Sequence, residues 1–410
     1  MKITLAATLR HYDKKNFIKD LLAGIIIMAV SIPISMGYAQ IAGLPAVYGL
    51  YGSVFPILIF ALASTSPQFI FGVDAAPAAL IGSALLSLHI ESGSEEAMAV
   101  VPVLTFFVAL WLLAFYIMKA GKLVNYISAP VMGGFITGIC TTIILMQVPK
   151  LMGGSAGTGE FFELAEHIIK TAKDINWQSV VLGLAALVLL LVCKKLIPKF
   201  PMAVLLMIAG AGMTYLLPIE NWGVQTLASV DTGLPHWAVP DFSVISIREA
   251  VTISLSVAVV IMAETLLAEN NFAQKNGYRI NDNQEILAFS MGNFLAAFTG
   301  CCPINGSVSR TAMGEQYQAK TQLTGIIAGL SMIVVLVCAT GFIGYLPVPV
   351  LTAIVISALL GATEFDLAAR LFKVSRTECL IFFGAFFGVL LLGTINGVLI
   401  LSLIHISEPT

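Results

Sequence analysis

Gly300-Cys301-Cys302-Pro303-Ile304-Asn305-Gly306-Ser307-Val308-Ser309-Arg310-Thr311 interrupts a chain that is otherwise apolar for long distances on either side. One hydrophobic run, 284–299, leads into it and another, 321–343, follows. The segment it opens, 306–318, is too short and too rich in Gly and Ser to cross a hydrocarbon layer of about 30 Å as continuous helix, yet it holds a full charge, Arg310. The first half of the chain has a stretch of the same character, Gly72-Val73-Asp74-Ala75-Ala76-Pro77, at the head of the short segment 72–88. Two short, polar-headed segments at corresponding positions of two halves are the sequence mark of a midplane binding site between inverted repeats.

Composition agrees with a membrane setting. Of 410 residues, 58% are hydrophobic and 11% charged, against roughly 25% charged in soluble chains, and the mean hydropathy is +0.94. These figures exclude a water-facing soluble enzyme and a secreted disulfide scaffold. The net charge of -2 leaves no overall basic face for nucleic acid. The six cysteines have no CxxC spacing, and the adjacent Cys301 and Cys302 suit neither a chelate nor an ordinary disulfide. Met1–Lys19 is too long and too charged for a cleaved signal peptide.

Apolar runs predict an all-α polytopic protein with about fourteen membrane segments, near 20–38, 46–63, 72–88, 97–118, 124–148, 177–197, 201–217, 249–268, 284–299, 306–318, 321–343, 347–361, 376–392 and 394–405. Four basic residues (Lys150, Lys170, Lys173, Arg248) fall in loops of one side and Arg310 in a span, which leaves sixteen of the 21 on the side of the N-terminus. The positive-inside bias therefore places the N-terminus in the cytoplasm. The predicted organisation is a cytoplasmic segment 1–19, a seven-span repeat 20–217, an extracytoplasmic connection 218–248, and a second seven-span repeat 249–405, emerging inverted because seven is odd. The first span of each half carries a polar interruption, at Ser31-Ile32-Pro33-Ile34-Ser35 and at Ala263-Glu264-Thr265.

Charge inside a span is expensive, so the few such groups carry the chemistry. The sequence presents three: Asp74, Glu264 and Arg310, with Glu249 and Glu269 read as marking the ends of the Glu264 segment. Glu264 is either a structural hydrogen-bonding group or an ion-coupling carboxylate, protonated when desolvated and ionised when water or a cation reaches it. Ala268, one turn on, supplies no oxygen for sodium, which favours a proton. Arg310 lies one turn into a helix whose free N–H groups and dipole attract an anion; pairing with Glu264 or Asp74 is the alternative. Asp74 suits an N-cap, with a second coupling role as the alternative. Two half-helix N-termini facing one pocket would select anions. Tyr38, Gln40, Tyr48 and Tyr51 are candidates to line that pocket. No phosphate loop, HExxH, GxSxG or catalytic dyad is present, so no enzymatic activity, catalytic residue, cofactor or metal is expected.

The run Asp20-Leu21-Leu22-Ala23-Gly24, then Ser31 to Ala39, then Ile41 to Tyr51 (IAGLPAVYGLY) resembles the first-span signature of the sulfate permease (SulP) anion transporters. Asn283-Gln284-Glu285 with Gly292-Asn293, and Gly306 to Ala312, resemble that family's second-half motifs. The resemblance covers almost the whole chain. It implies a fourteen-segment inverted-repeat fold in which a core domain moves like an elevator against a dimeric gate domain. By motif position it implies an anion site at Ser307, Val308, Ser309 and Arg310 with Ala75, Ala76 and Tyr38, and coupling acids at Glu264 and Asp74. Sulfate, bicarbonate, chloride and dicarboxylates are substrates of the family. The expected function is secondary active transport of a small anion, coupled to a proton, in a bacterial inner membrane. Sodium-coupled bicarbonate transport, a nucleobase carrier of the same architecture and a passive anion channel are the alternatives. Two departures stand out. The family usually has Gln where this chain has Ile34, and it normally continues into a cytoplasmic STAS domain. Here the sequence reads through an abrupt polar tail, 406–410, expected to be truncated or artefactual, with no STAS domain.

Overall fold

The computed structural model describes residues 12–121, 129–155, 161–197, 200–227, 233–338 and 340–392, with 5, 6, 8, 9 and 157. The expected last span, 394–405, and the tail 406–410 lie outside them. In the first half, α1 (Phe17–Ile41) is followed by α2 (Val47–Tyr51), α3 (Phe55–Ala63), β1 (Phe71–Gly72), α4 (Ala75–Ser87), α5 (Glu95–Ile117), α6 (Ala129–Leu151), α7 (Phe161–Thr171), α8 (Trp177–Leu196) and α9 (Met202–Leu216). The second half runs α10 (Ile247–Asn276), α11 (Asp282–Phe298), β2 (Asn305–Gly306), α12 (Val308–Gln316), α13 (Leu323–Cys338), α14 (Val348–Ala362), α15 (Phe365–Val374) and α16 (Arg376–Leu392). In each half the third membrane element is a short helix preceded by two extended residues, as the inverted repeat requires.

Packing sorts these helices into two bodies. In one, α5 lies against α10 and α11, α11 against α3, and α1 against α2 and α13. In the other, α6 lies against α14 and α16, and α14 against α8. These are the core and the gate. They meet where α1 touches α14, α4 touches α6 and α12 touches α14. The outer face of α8 leaves Val181, Leu184, Val188 and Leu191 exposed, as lipid-facing positions would be.

Several expectations are corrected. The first spans are not interrupted: α1 is continuous through Pro33, and α10 through Glu264 to Asn276. Instead the second span, expected as one helix over 46–63, divides into α2 and α3. Glu269 does not mark the end of a segment but lies inside α10, wholly buried. Charged groups in the interior therefore exceed three, since Asp20 and Glu285 are wholly buried as well. Asp20 accepts from the Lys320 and Thr321 amides and the Thr321 hydroxyl, so a buried carboxylate joins α1 to the turn before α13. Lys150 is in α6 rather than in a loop, and its Nζ donates to Gln40 Oε1 of α1 at 2.9 Å. Two amphipathic helices, α7 and α15, occupy stretches expected to be loop; α7 buries only Leu164 among the described residues.

Candidate anion site

The two interrupting stretches meet. β1 and β2 pair antiparallel, Phe71 opposite Gly306 and Gly72 opposite Asn305, so α4 and α12 leave from opposite ends of one short ladder. A two-stranded pair of this length has little stability of its own, and side chains of the core fasten it. Asn293 of α11 accepts from the Ile304 amide at 2.9 Å and donates to the Ile304 carbonyl at 3.0 Å. Thr265 Oγ1 of α10 accepts from the Gly306 amide at 3.0 Å. Thr311 Oγ1 accepts from the Ile70 amide and donates to the Ser307 carbonyl. Phe71 packs in a triangle of rings with Phe60 and Phe289, their centroids 4.7 and 5.4 Å from its own and 6.1 Å from each other. Glycine is required at Gly306, where a Cβ would overlap the Phe69 ring, and a Cβ on Gly72 would lie 2.9 Å from Arg310 Nη1 and displace the guanidinium.

Arg310 is buried, 1% exposed, and forms no ion pair. The pairing with Glu264 or Asp74 raised by the sequence is thus absent; the two ion pairs among the described residues are Lys170–Glu166 and Lys275–Glu315. Its Nη2 donates to the Val73 carbonyl at 2.6 Å, which ties the start of α12 to the approach of α4. Its Nε is buried without an acceptor among the described residues. A guanidinium with an unspent donor is rare in a folded interior.

Asp74 is the N-cap residue of α4, its Oδ1 accepting from the Ala75 amide at 2.9 Å. Ala75 and Ala76, in the first turn, are buried. Ser307 precedes α12 but makes no side-chain cap bond; its hydroxyl lies 3.3 Å from that of Ser309. The first-turn N–H groups of α12 are therefore not spent on a cap. Val308 differs from Ser307 and Arg310 beside it in being 38% exposed. Glu264 Oε2 accepts from Asn305 Nδ2 at 2.8 Å. Tyr38, 2% exposed on α1, is electrostatically within reach of Asp74, Arg310 and Glu264. From the gate side Cys140 of α6, also buried, faces Glu264 and Asp74.

The structure thus gathers Tyr38, Asp74, Glu264 and Arg310 around one ladder. Gln40 is not with them, being engaged by Lys150. Asn305, Asn293, Thr265 and Cys140 were given no role at the sequence level. Asn305 and Asn293 stood within quoted motifs, and a buried amide next to Gly is the signal that would have singled them out.

Comparison with known proteins decides the family, since the sulfate permease family profile matches residues 17–385. The chain belongs to the sulfate permease family. It is 29% identical over 390 residues to a probable sulfate transporter of Mycobacterium tuberculosis, covering 95% of this chain and 70% of that one. Sulfate transporter 3.1 of Arabidopsis thaliana is 30% identical over 393 residues, covering 92% and 60% respectively. Among solved structures, SLC26A9 superposes with a TM-score of 0.89 at 22% identity, covering 98% of this chain and 68% of its own. The transmembrane domain of the cyanobacterial bicarbonate transporter BicA superposes with a TM-score of 0.83 at 19% identity, covering 94% and 98%. These likenesses establish the inverted-repeat core-and-gate fold for this sulfate permease family member and its place among integral membrane anion transporters.

Proposed function

We propose that this sulfate permease family member is a secondary active transporter of a small oxyanion, coupled to protons through Glu264. The observation that carries this reading is the buried, ion-pair-free Arg310 with its unspent Nε–H between two half-helix N-termini. Sulfate, bicarbonate and small dicarboxylates all present the oxygens that such donors take. The names of the similar proteins, sulfate transporters and a bicarbonate transporter, point the same way.

Charge counting supplies the coupling. With Asp74 and Glu264 both ionised, the two carboxylates outweigh Arg310 and repel an anion; one proton cancels the excess. Asn305 is suited to follow that change. Its Nδ2 donates to Glu264 as a carboxylate, and its Oδ1, buried without a donor, accepts from the acid form once the amide turns over. The same free oxygen supports a second reading, in which sodium takes Asn305 Oδ1 and Glu264 as two of its ligands.

Transport by elevator motion is part of the proposal. Every fastening of the ladder comes from core helices, whereas α6 and α14, which touch α4 and α12, belong to the gate, so the site can travel with the core as one piece. We place the N-terminus in the cytoplasm of a bacterial inner membrane, on the distribution of Lys and Arg, with the gate as the homodimer contact. The test is electrical and radiotracer uptake in proteoliposomes with sulfate, bicarbonate, fumarate, chloride and uracil, under imposed pH or sodium gradients. Saturable uptake of one anion driven by an inward proton gradient is the expected result. Drive by sodium alone would favour the second reading, and uptake of uracil without any anion would overturn the site assignment.

A further inference from the structure

Apart from the anion site, the core holds a second pair of acids. Glu269 of α10 and Glu285 of α11 are each wholly buried and lie within hydrogen-bonding reach of one another. Hydrogen-bond donors are shared between them very unevenly. Glu285 accepts from the Ser64 hydroxyl at 2.7 Å, from the Thr65 amide at 2.5 Å and from the Thr65 hydroxyl. Glu269 receives no donor at either oxygen among the described residues. A buried carboxylate without a donor is among the costliest states a side chain can take, and two adjacent carboxylates cannot both remain ionised.

Among the described residues no cation pairs with either acid. The other groups facing the pair are Asp282 of α11, Tyr278 in the turn between α10 and α11, and the hydroxyl of Ser66 after α3. Lys275 is engaged by Glu315 at 2.6 Å. Donors that converge on Glu285 mark it as the ionised partner; their lack at Glu269 marks the partner that must donate.

We propose that Glu269 and Glu285 form a resident proton site, in which Glu269 is the acid and donates to the Glu285 carboxylate. Its walls among the described residues, α3 with the following Ser64–Ser66, α10 and α11, belong to the core, so this proton stays with the core and is not the one exchanged at Glu264. Its work is local. Glu285 holds Ser64 and Thr65 through three hydrogen bonds, and that segment leads through Gln68 and Phe69 to β1. Loss of the proton would set two carboxylates against each other and loosen the strand on which the anion site is built. The sign follows: the folded core holds a proton that an exposed glutamate releases, so the stabilisation is present at acidic and neutral pH and disappears as pH rises.

The test uses the whole protein in detergent and in liposomes, with inorganic cations as the only added ligands. The melting temperature of the wild type should fall from neutral to alkaline pH, and Glu269→Gln, whose amide donates at every pH, should abolish that slope. Equal slopes in the two proteins would overturn the proposal. Restoration of the wild type at alkaline pH by sodium, but not by choline at equal ionic strength, would overturn it too and assign the site to a metal cation. Should Glu269→Gln fail to fold, infrared difference spectra of Glu264→Gln against pH decide. A protonated-carboxyl band lost at alkaline pH and displaced in Glu269→Asp supports the site; its absence at neutral pH refutes it. Because the readouts are stability and a vibrational band, they are independent of whether Glu264 couples transport to protons.

Discussion

Replacing Arg310 by Met separates the charge of the anion site from its volume. The precaution matters because Arg310 is the largest wholly buried side chain in the described protein, and Arg310→Ala would open a cavity and confuse weak binding with poor folding. The electrostatic loss can be bounded. A full charge about 4 Å from an anion is worth about 4 kcal/mol at an effective dielectric of about 20, and a charge-assisted hydrogen bond about 1.5–3 kcal/mol. These are two views of one interaction and do not add. Loss of the donor to the Val73 carbonyl affects free and loaded protein alike and largely cancels in affinity, while Asp74, left without a nearby positive charge, opposes the anion further. The expected weakening is therefore about 2–4 kcal/mol, or roughly 30- to 700-fold. Uptake KM in proteoliposomes and protection against thermal unfolding by sulfate or bicarbonate measure it, with the melting temperature without anion as the folding control. Arg310→Lys, which keeps a point charge but not the planar fork, should fall between the two. If Arg310→Met binds its anion within about threefold of wild type, under 1 kcal/mol, while folding normally, then Arg310 is a structural tie to Val73 and the anion site lies elsewhere.

The remaining expectations are narrower. Glu264→Gln should still transport but lose acceleration by an inward proton gradient, measured as uptake with and without an imposed pH difference. Ser309→Ala removes one hydroxyl beside N–H donors that persist, so KM should rise only about fivefold, the worth of about 1 kcal/mol for a single hydrogen bond. Asn293→Leu orphans the buried amide and carbonyl of Ile304; a stability loss of about 2–4 kcal/mol should appear as a lower melting temperature, with transport reduced in maximal rate.

How much of this was legible in the sequence depended on the range of each interaction. The half-helices were, because Gly, Pro and Ser in an apolar chain act locally on backbone conformation, and Asp74 and Arg310 announce themselves by their cost in a membrane. The ladder between them was not, since four extended residues carry no period and their pairing joins positions 71–72 to 305–306. Polar residues misled where a partner distant in the chain satisfies them. Ser31 to Ser35 read as an interruption, yet α1 continues through it, and Ser35 Oγ meets Ser53 Oγ at 3.1 Å. Glu269 read as the end of a span because acids usually sit at interfaces; nothing in the sequence shows that Glu285 waits beside it.

The ladder also accounts for why the central charge remains available. Backbone polar groups cannot be left open at membrane depth, and breaking a span into half-helices exposes several. Here the extended residues satisfy one another across β1 and β2, and Asn293, Thr265 and Thr311 take the groups next to them. Neutral side chains thus do the fastening, and Arg310 contributes a single hydrogen bond, to Val73. Had an ion pair held the two halves together, its positive member would already be neutralised. Because amides and hydroxyls hold them instead, the guanidinium keeps both its charge and a donor, and the first turn of α12 keeps its N–H groups. An arrangement built in this way holds together without an ion pair, which is what the anion site proposed here requires.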